Sequence, residues 1–202
     1  MTGELFIPST ISPVNRKEVL RYAGAKEDDG VLSSLLDECI ALAEAHLTYR
    51  LAYTELPVSV QKGRVDMGFF CTPSSGLEKN LSECERVLVF GATLGLAFDR
   101  LISRVAVTSP TRALLLDALG DERIEALADA FCTQKAMEYE GVGFVLRPRF
   151  SPGYGDLPLS AQTEIFRALD LSKKIGLSLN ESLLMSPRKS VTAFVGIARR
   201  TV

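Results

Sequence analysis

Apolar residues recur every three or four positions from Val31 to about Tyr49, at Leu32, Leu35, Leu36, Cys39, Ile40, Ala43 and Leu47. That spacing predicts an amphipathic helix. His46 projects onto the same stripe and is expected to be a buried, hydrogen-bonded structural histidine. Upstream, Asn15-Arg16-Lys17-Glu18 has the spacing of a capping box and opens a short helix toward Tyr22, before a polar turn from Gly24 to Gly30. Beyond the long helix, Leu51 to Gln61 and Val65 to Phe70 read as strands. Pro57 implies an edge or a bend, because proline donates no ladder hydrogen bond. Thr72 to Asn80, rich in Pro, Ser and Gly, reads as a loop.

The short apolar run Val87-Leu88-Val89-Phe90 suits a buried strand. A turn from Gly91 to Gly95, with Thr93 as a cap, then leads into a helix with Leu94, Ala97, Phe98, Leu101, Ile102 and Val105 on one face. Ser109-Pro110-Thr111 starts another helix. Gly120-Asp121 is expected to interrupt it before Ile124, Leu127 and Phe131 carry it on to about Tyr139. Ser160 is placed to cap a helix with inner face Ala161, Ile165, Phe166 and Leu169. Lys173 and Lys174 near its end and Gly176 just past it are C-terminal signals. From Ser190 to Ala198, Val191, Ala193, Val195 and Ile197 alternate with Ser190, Thr192, Phe194 and Gly196, the pattern of a half-buried strand. Helices and strands follow one another without regular βαβ alternation. The expected class is therefore α+β, a single domain over 1–202 with a twisted antiparallel or mixed sheet flanked by helices.

Composition adds constraints. The 202 residues are 47% hydrophobic and 24% charged, and 23 basic residues nearly balance 25 acidic ones. A net charge of −2 gives no overall pull toward nucleic acid or an anionic membrane, so neither is expected as a partner. A chain of this size buries roughly 70% of its unfolded surface and needs no metal or disulfide to fold. Cys39, Cys71, Cys84 and Cys132 form no CxxC pair, and one histidine leaves no zinc-type spacing. Isolated thiols of this kind read as reduced and buried, in a cytoplasmic protein. The residues from Met1 to Pro8 lack a basic start and do not read as a signal peptide. The longest uncharged run, Val87 to Phe98, is far short of the ~20 residues of a membrane helix.

Most candidate chemistry falls away. Gly91 to Gly95 lacks the Gly-Lys-Ser/Thr ending of a phosphate loop, and two glycines are too few for a dinucleotide fingerprint. No serine or cysteine has the flanks of a catalytic nucleophile. Asp121, Glu122 and Glu125 read as the solvated start of a helix, and Leu114 to Leu116 as core.

One loop stands out. Arg147-Pro148-Arg149-Phe150-Ser151-Pro152-Gly153-Tyr154-Gly155-Asp156 packs two arginines, two prolines, two glycines and two aromatics into ten residues. Prolines restrict the backbone and glycines admit close approach, so the loop holds one shape at little entropic cost. Arg149 can pair a carboxylate bidentately, and Tyr154 can stack on a heterocycle or face a cation. A rigid connector with surface arginines is the other reading of the same residues.

The loop resembles the S-adenosylmethionine-binding loop of the reactivation domain of cobalamin-dependent methionine synthase. That signature, Arg-x-x-x-Gly-Tyr, is met by Arg149, Gly153 and Tyr154. Downstream the family has Glu-Ser-x-x-Met-x-Pro-x-x-Ser-Val, met here by Glu181-Ser182-Leu183-Leu184-Met185-Ser186-Pro187-Arg188-Lys189-Ser190-Val191. The likeness is strongest over 149–198, with a fainter echo at Leu127-Ala128-Asp129-Ala130-Phe131. The resemblance implies an S-adenosylmethionine-binding subunit acting in methionine biosynthesis. It would be a non-autonomous component of a cobalamin-dependent methyltransferase that supports reductive remethylation of cobalamin. The cobalamin would be carried by partner methionine synthase modules or another corrinoid protein, and a reductant protein would supply electrons. Arg149 would hold the ligand carboxylate, Ser151 and Gly153 would offer backbone to the adenosyl part, and Tyr154 an aromatic contact. No catalytic or metal-ligating residue is implied in this chain. Where the family has Pro-x-His-Thr after the tyrosine, this chain has Asp156-Leu157-Pro158-Leu159-Ser160, without histidine. Of acids on the helix before the loop, Glu138 and Glu140 lie near but out of register, and no tyrosine follows Ser190-Val191. The chain reads as a free-standing reactivation subunit, the alternative being a regulatory or interaction protein that binds the ligand without methyl transfer.

Overall fold

In the computed structural model, residues 3–8, 10–25 and 30–200 are described. In chain order the first half comprises β1 (Glu4–Phe6), α1 (Arg16–Tyr22), α2 (Gly30–Glu44), β2 (Arg50–Pro57), β3 (Ser59–Gln61), β4 (Arg64–Asp66), β5 (Cys71–Thr72), α3 (Ser75–Asn80) and β6 (Cys84–Thr93). The second half comprises α4 (Leu96–Ala106), α5 (Pro110–Glu140), β7 (Phe144–Leu146), α6 (Ala161–Leu169), α7 (Leu171–Ile175), β8 (Ser178–Leu179), β9 (Met185–Ser186) and β10 (Ser190–Arg199). Five strands form an antiparallel sheet in the order β1-β2-β6-β10-β7, with β3-β4-β5 and β8-β9 as small antiparallel sheets. The class is α+β.

The sheet separates two cores. On one face Leu88, Phe90, Ala92, Ala193, Val195 and Ile197 pack against α1, α2, α4 and α5. Phe131 of α5 is the centre of this side, edge-on to Phe6 with ring centroids 5.0 Å apart and 5.1 Å from Phe90. On the other face Ala52, Val87, Val89 and Phe194 pack against α3, α6, α7 and Val65 of β4. Because this second layer exists, Thr192 and Phe194 are as buried as Ala193 and Val195. β10 is thus a central strand covered on both faces, not the half-buried strand its alternation predicts.

Several expectations give way to tertiary packing. The Asn15 side chain caps α1 as expected, accepting from Glu18 N–H at 3.3 Å. The Gly24 to Gly30 turn lies partly outside the described residues. α2 ends at Glu44, five residues short of the expected Tyr49, because the Thr48 N–H donates to Leu94 C=O at 2.8 Å and draws the chain toward the sheet. His46 lies past the helix end and is half-buried, with Nδ1 3.0 Å from Leu42 C=O. Pro57 ends β2 beyond the part of that strand covered by β1, where β6 is its one neighbour in the sheet. The expected loop at Thr72 to Asn80 contains α3, whose amino end is capped by Ser74. Gly91 to Thr93 belong to β6, not to a turn. A Cβ on Gly91 would stand 2.7 Å from Leu171, so glycine is what lets α7 lie on the strand.

α5 is one helix of 31 residues, about 46 Å long, and Gly120-Asp121 does not interrupt it. A Cβ at Gly120 would meet Phe98 at 2.7 Å and Lys189 at 2.9 Å, so this glycine serves packing against α4. The acidic group there is no solvated helix start. Asp121 takes a bond from Lys189 Nζ at 2.6 Å. Glu122 is buried and accepts from Arg123 Nε at 2.5 Å and Asn15 N–H at 3.0 Å. Arg123 in turn donates to Ser12 C=O at 2.7 Å, clamping the N-terminal segment onto the helix. Leu115 and Leu116 are core as expected, whereas Leu114 is exposed. The helix expected to run from Ser160 past Lys174 is broken at Asp170, whose left-handed backbone (φ 51°) separates α6 from α7. Cys39 and Cys84 are buried and Cys132 is half-buried, but Cys71 is exposed.

Candidate functional site

The segment after β7 stays attached to the sheet. Arg147 N–H donates to Gly196 C=O at 2.8 Å, and Phe150 and Phe194 exchange backbone bonds of 2.9 Å in both directions. Phe150 itself is buried in the second core, so the loop leaves the sheet from a fixed point. It then folds on itself. Gly153 takes the positive φ of +84° that a tight turn requires, and its N–H donates to Leu157 C=O at 2.9 Å. Tyr154 N–H donates to Ser151 C=O, and Leu157 N–H to Tyr154 C=O, both at 3.1 Å.

Asp156 fastens the far end of this loop to α3. Its carboxylate accepts from Ser74 Oγ at 2.5 Å, Ser75 N–H at 2.6 Å, Ser75 Oγ at 2.8 Å and Gly76 N–H at 3.0 Å. These hydrogen bonds, from Ser74 first, hold the carboxyl far below the usual aspartate range. An acid at a helix amino end is favoured, since the first amide groups there have no helical acceptor.

The two loop arginines part company. Arg149 Nη2 donates to Glu125 Oε2 at 2.8 Å and to Asp129 Oδ1 at 2.7 Å on α5, and its side chain is 24% exposed. Arg147 Nη2 turns to the end of α3, toward Glu83 Oε2 at 3.2 Å and Ser82 C=O at 3.4 Å. Between them opens a cleft of about 540 Å³, walled chiefly by Lys79, Asn80, Arg147, Arg149, Ser151 and Tyr154. Tyr154 is 69% exposed and meets the Phe150 ring edge to face, centroids 5.4 Å apart. The Cys132 thiol beside Arg149 is pushed up to about 11, chiefly by burial.

Of the residues singled out in sequence, Arg149, Ser151 and Tyr154 share this wall, while Gly153 stands behind it, shaping the turn. The resemblance segments also meet in space. Ser151 and Pro152 face Met185, Arg188, Ser190 and Val191 across a second groove of about 420 Å³. Arg188 and Lys189 fix that segment to α5 through Asp117, at 2.6 and 3.1 Å. Sequence reasoning missed Glu125 and Asp129. Their separation of four on one helix puts them on one face, and that spacing was the available signal. Glu138 and Glu140 pair instead with Lys135 and Arg200, at 2.7 and 3.1 Å. Among the described residues no group of three or more His, Cys, Asp and Glu is placed to hold a metal, and no helix is long and apolar enough to cross a membrane.

No established protein family and no curated protein matches the sequence. Among solved structures, the fold matches a crystal structure of the MetH reactivation domain bound to AdoHcy. The TM-score is 0.64 and the identity 17%, over 95% of this chain and 72% of that one. At that identity the likeness is one of fold: this chain has the architecture of a MetH reactivation domain.

Proposed function

We propose that this chain binds S-adenosylmethionine at the Arg149 loop and supports reductive remethylation of cobalamin on a partner methionine synthase or related corrinoid protein. The observation that carries the reading is Arg149 bridging its loop to Glu125 and Asp129, on a fold shared with a domain solved with AdoHcy. One positive and two negative side chains make a centre complementary to an amino-acid zwitterion that also carries a sulfonium charge. Both protein bonds of Arg149 come from Nη2, which leaves Nη1 to donate to the ligand carboxylate. Asp129 and Glu125 would take the ligand ammonium. Ser151 would face the adenosyl part, with the exposed Tyr154 ring against it and Gly153 shaping the turn that carries both.

The role of the chain is positional. The transferable methyl belongs to the ligand, while the corrinoid and the electron would come from a partner and a reductant protein. What Arg149, Asp129 and Tyr154 contribute is a fixed orientation of the ligand on a loop held rigid at Phe150 and Asp156. Calorimetric titration with S-adenosylmethionine tests the binding, and saturable 1:1 heat is expected. A reconstituted assay with a corrinoid protein and a reductant tests the transfer. Binding without transfer would leave a sensing or regulatory protein; no binding at a large ligand excess would overturn the reading.

A further inference from the structure

Glu122 and Arg123 are consecutive, charged and buried in the middle of α5. Arg123 donates to its neighbour through both Nε and Nη2, at 2.5 Å each. A buried ion pair adds little net stability over apolar residues of similar volume, because both charges lose their water. The other bonds of the pair show what it does. Arg123 donates to Ser12 C=O at 2.7 Å and to Pro13 C=O at 3.2 Å, and Glu122 accepts from Asn15 N–H at 3.0 Å. Three backbone groups of the segment before α1 are thus held in register against α5. The same segment walls a groove of about 860 Å³, with Ile11, Ser12 and Pro13 from the segment and Ala126, Asp129 and Ala130 from α5. Ser12 and Asp129 meet again in a smaller pocket of about 280 Å³, so the two stand where the cavities adjoin. Asp129 is also the acid that accepts from Arg149 Nη2 at 2.7 Å, and its side chain is 67% exposed, open to a ligand. It therefore joins the ligand loop, through Arg149, to the groove walled by the clamped segment.

Resting on the ligand reading above, we propose that Glu122 and Arg123 are positioning residues for the amino-acid end of the ligand. They hold Ser12 and Pro13 beside Asp129, so that the ligand ammonium meets its carboxylate against a fixed wall. Such a wall keeps water from one flank of the contact and so strengthens it. It has no bearing on the adenosyl part. The pair acts through the backbone of the segment and does not itself touch the ligand.

The test joins Glu122→Leu to Arg123→Met in the intact chain, which releases the segment and leaves neither charge buried alone. The double variant should melt close to the wild type. By calorimetry its affinity for S-adenosylmethionine should fall by about tenfold, the worth of one charge-assisted hydrogen bond. Methylthioadenosine, which lacks the amino-acid end, should bind the variant as it binds the wild type, whereas a purely structural role would weaken both compounds alike. Hydrogen exchange on the wild type gives a second reading, and it decides if the double variant does not fold. S-adenosylmethionine should slow exchange over residues 10–15, and methylthioadenosine should not. An unchanged affinity in the folded variant, an equal loss for both compounds, or S-adenosylmethionine binding without slowed exchange at 10–15 overturns the assignment and leaves the ligand reading intact. Failure of the wild type to bind S-adenosylmethionine removes the two together.

Discussion

Arg149 donates to Asp129 at 2.7 Å, so the arginine expected to receive a ligand carboxylate already holds a protein one. Its position is thereby set before any ligand arrives, which lowers the entropy lost on binding. Arg149→Ala should weaken S-adenosylmethionine binding by roughly 1.5–3 kcal/mol, the range for a charge-assisted contact. Arg149→Lys should recover only part, because an ammonium lacks the planar fork. Arg147→Ala should cost less than Arg149→Ala. Stability should fall by no more than about 1 kcal/mol in any of the three, since the pairs are surface pairs. Calorimetry and urea melts on the same preparations check both halves.

Asp129→Asn should separate the two ends of the ligand. It keeps the shape of the side chain and removes the charge expected to face the ligand ammonium. S-adenosylmethionine affinity should fall by about tenfold or more, as for a lost charged hydrogen bond. Methylthioadenosine, which has no amino-acid end, should bind the variant and the wild type equally. Equal losses for both compounds would show that Asp129 acts on the adenosyl part or on the fold.

The loop and the presence of α1, α2, α4 and α6 were legible in the sequence because both depend on local rules. The Arg149 to Asp156 segment carries its own rigidity in Pro152, Gly153 and Gly155, and α1 its own cap in Asn15. What was not legible depends on residues far apart in the chain. Gly120 looks like a helix breaker until Phe98 and Lys189 are seen pressed against it. Glu125 looks solvated until Arg149, 24 residues later, is placed beside it. β10 looks half-exposed until α6 and α7 cover its second face. Local propensity records what a residue prefers alone, and these residues answer to partners from other elements.

Gly120 offers a direct test of that packing. Gly120→Val would place its Cβ 2.7 Å from Phe98 and add branches where α4 and Lys189 already touch the helix. The expected cost is roughly 1–3 kcal/mol from overpacking, despite the better helix propensity of the new residue. A urea melt showing a gain in stability would mean that α4 can withdraw from α5 without loss.

The thiols should react unequally. Cys71 is exposed, whereas Cys132 is shielded and its thiol is pushed up to about 11, so little thiolate forms there at pH 8. Native protein should give one fast alkylation by iodoacetamide, mapped by mass spectrometry to Cys71 and abolished in Cys71→Ser. If the ligand occupies the Arg149 site, Cys132 should remain slow in its presence.

Asp156 links loop shape to pH. Its carboxyl is held far below the usual value by Ser74, Ser75 and Gly76, whereas in the unfolded chain it titrates near ~3.9. A group whose folded value is depressed contributes stability that is complete above the unfolded value and is lost as pH falls toward the folded one. The contribution of Asp156 should thus be constant near neutrality and decline from about pH 4 downward. Asp156→Asn keeps the size but removes the charge, and its amide can accept through one oxygen only. It should melt below the wild type at pH 7, and the gap should narrow between pH 4 and pH 3. The same variant should bind S-adenosylmethionine more weakly at pH 7, because α3 then no longer anchors the loop that carries Tyr154. If the melting gap stays constant with pH, the charge of Asp156 is not what holds the loop. If the gap narrows while ligand affinity is unchanged, the anchor serves the fold and not the site.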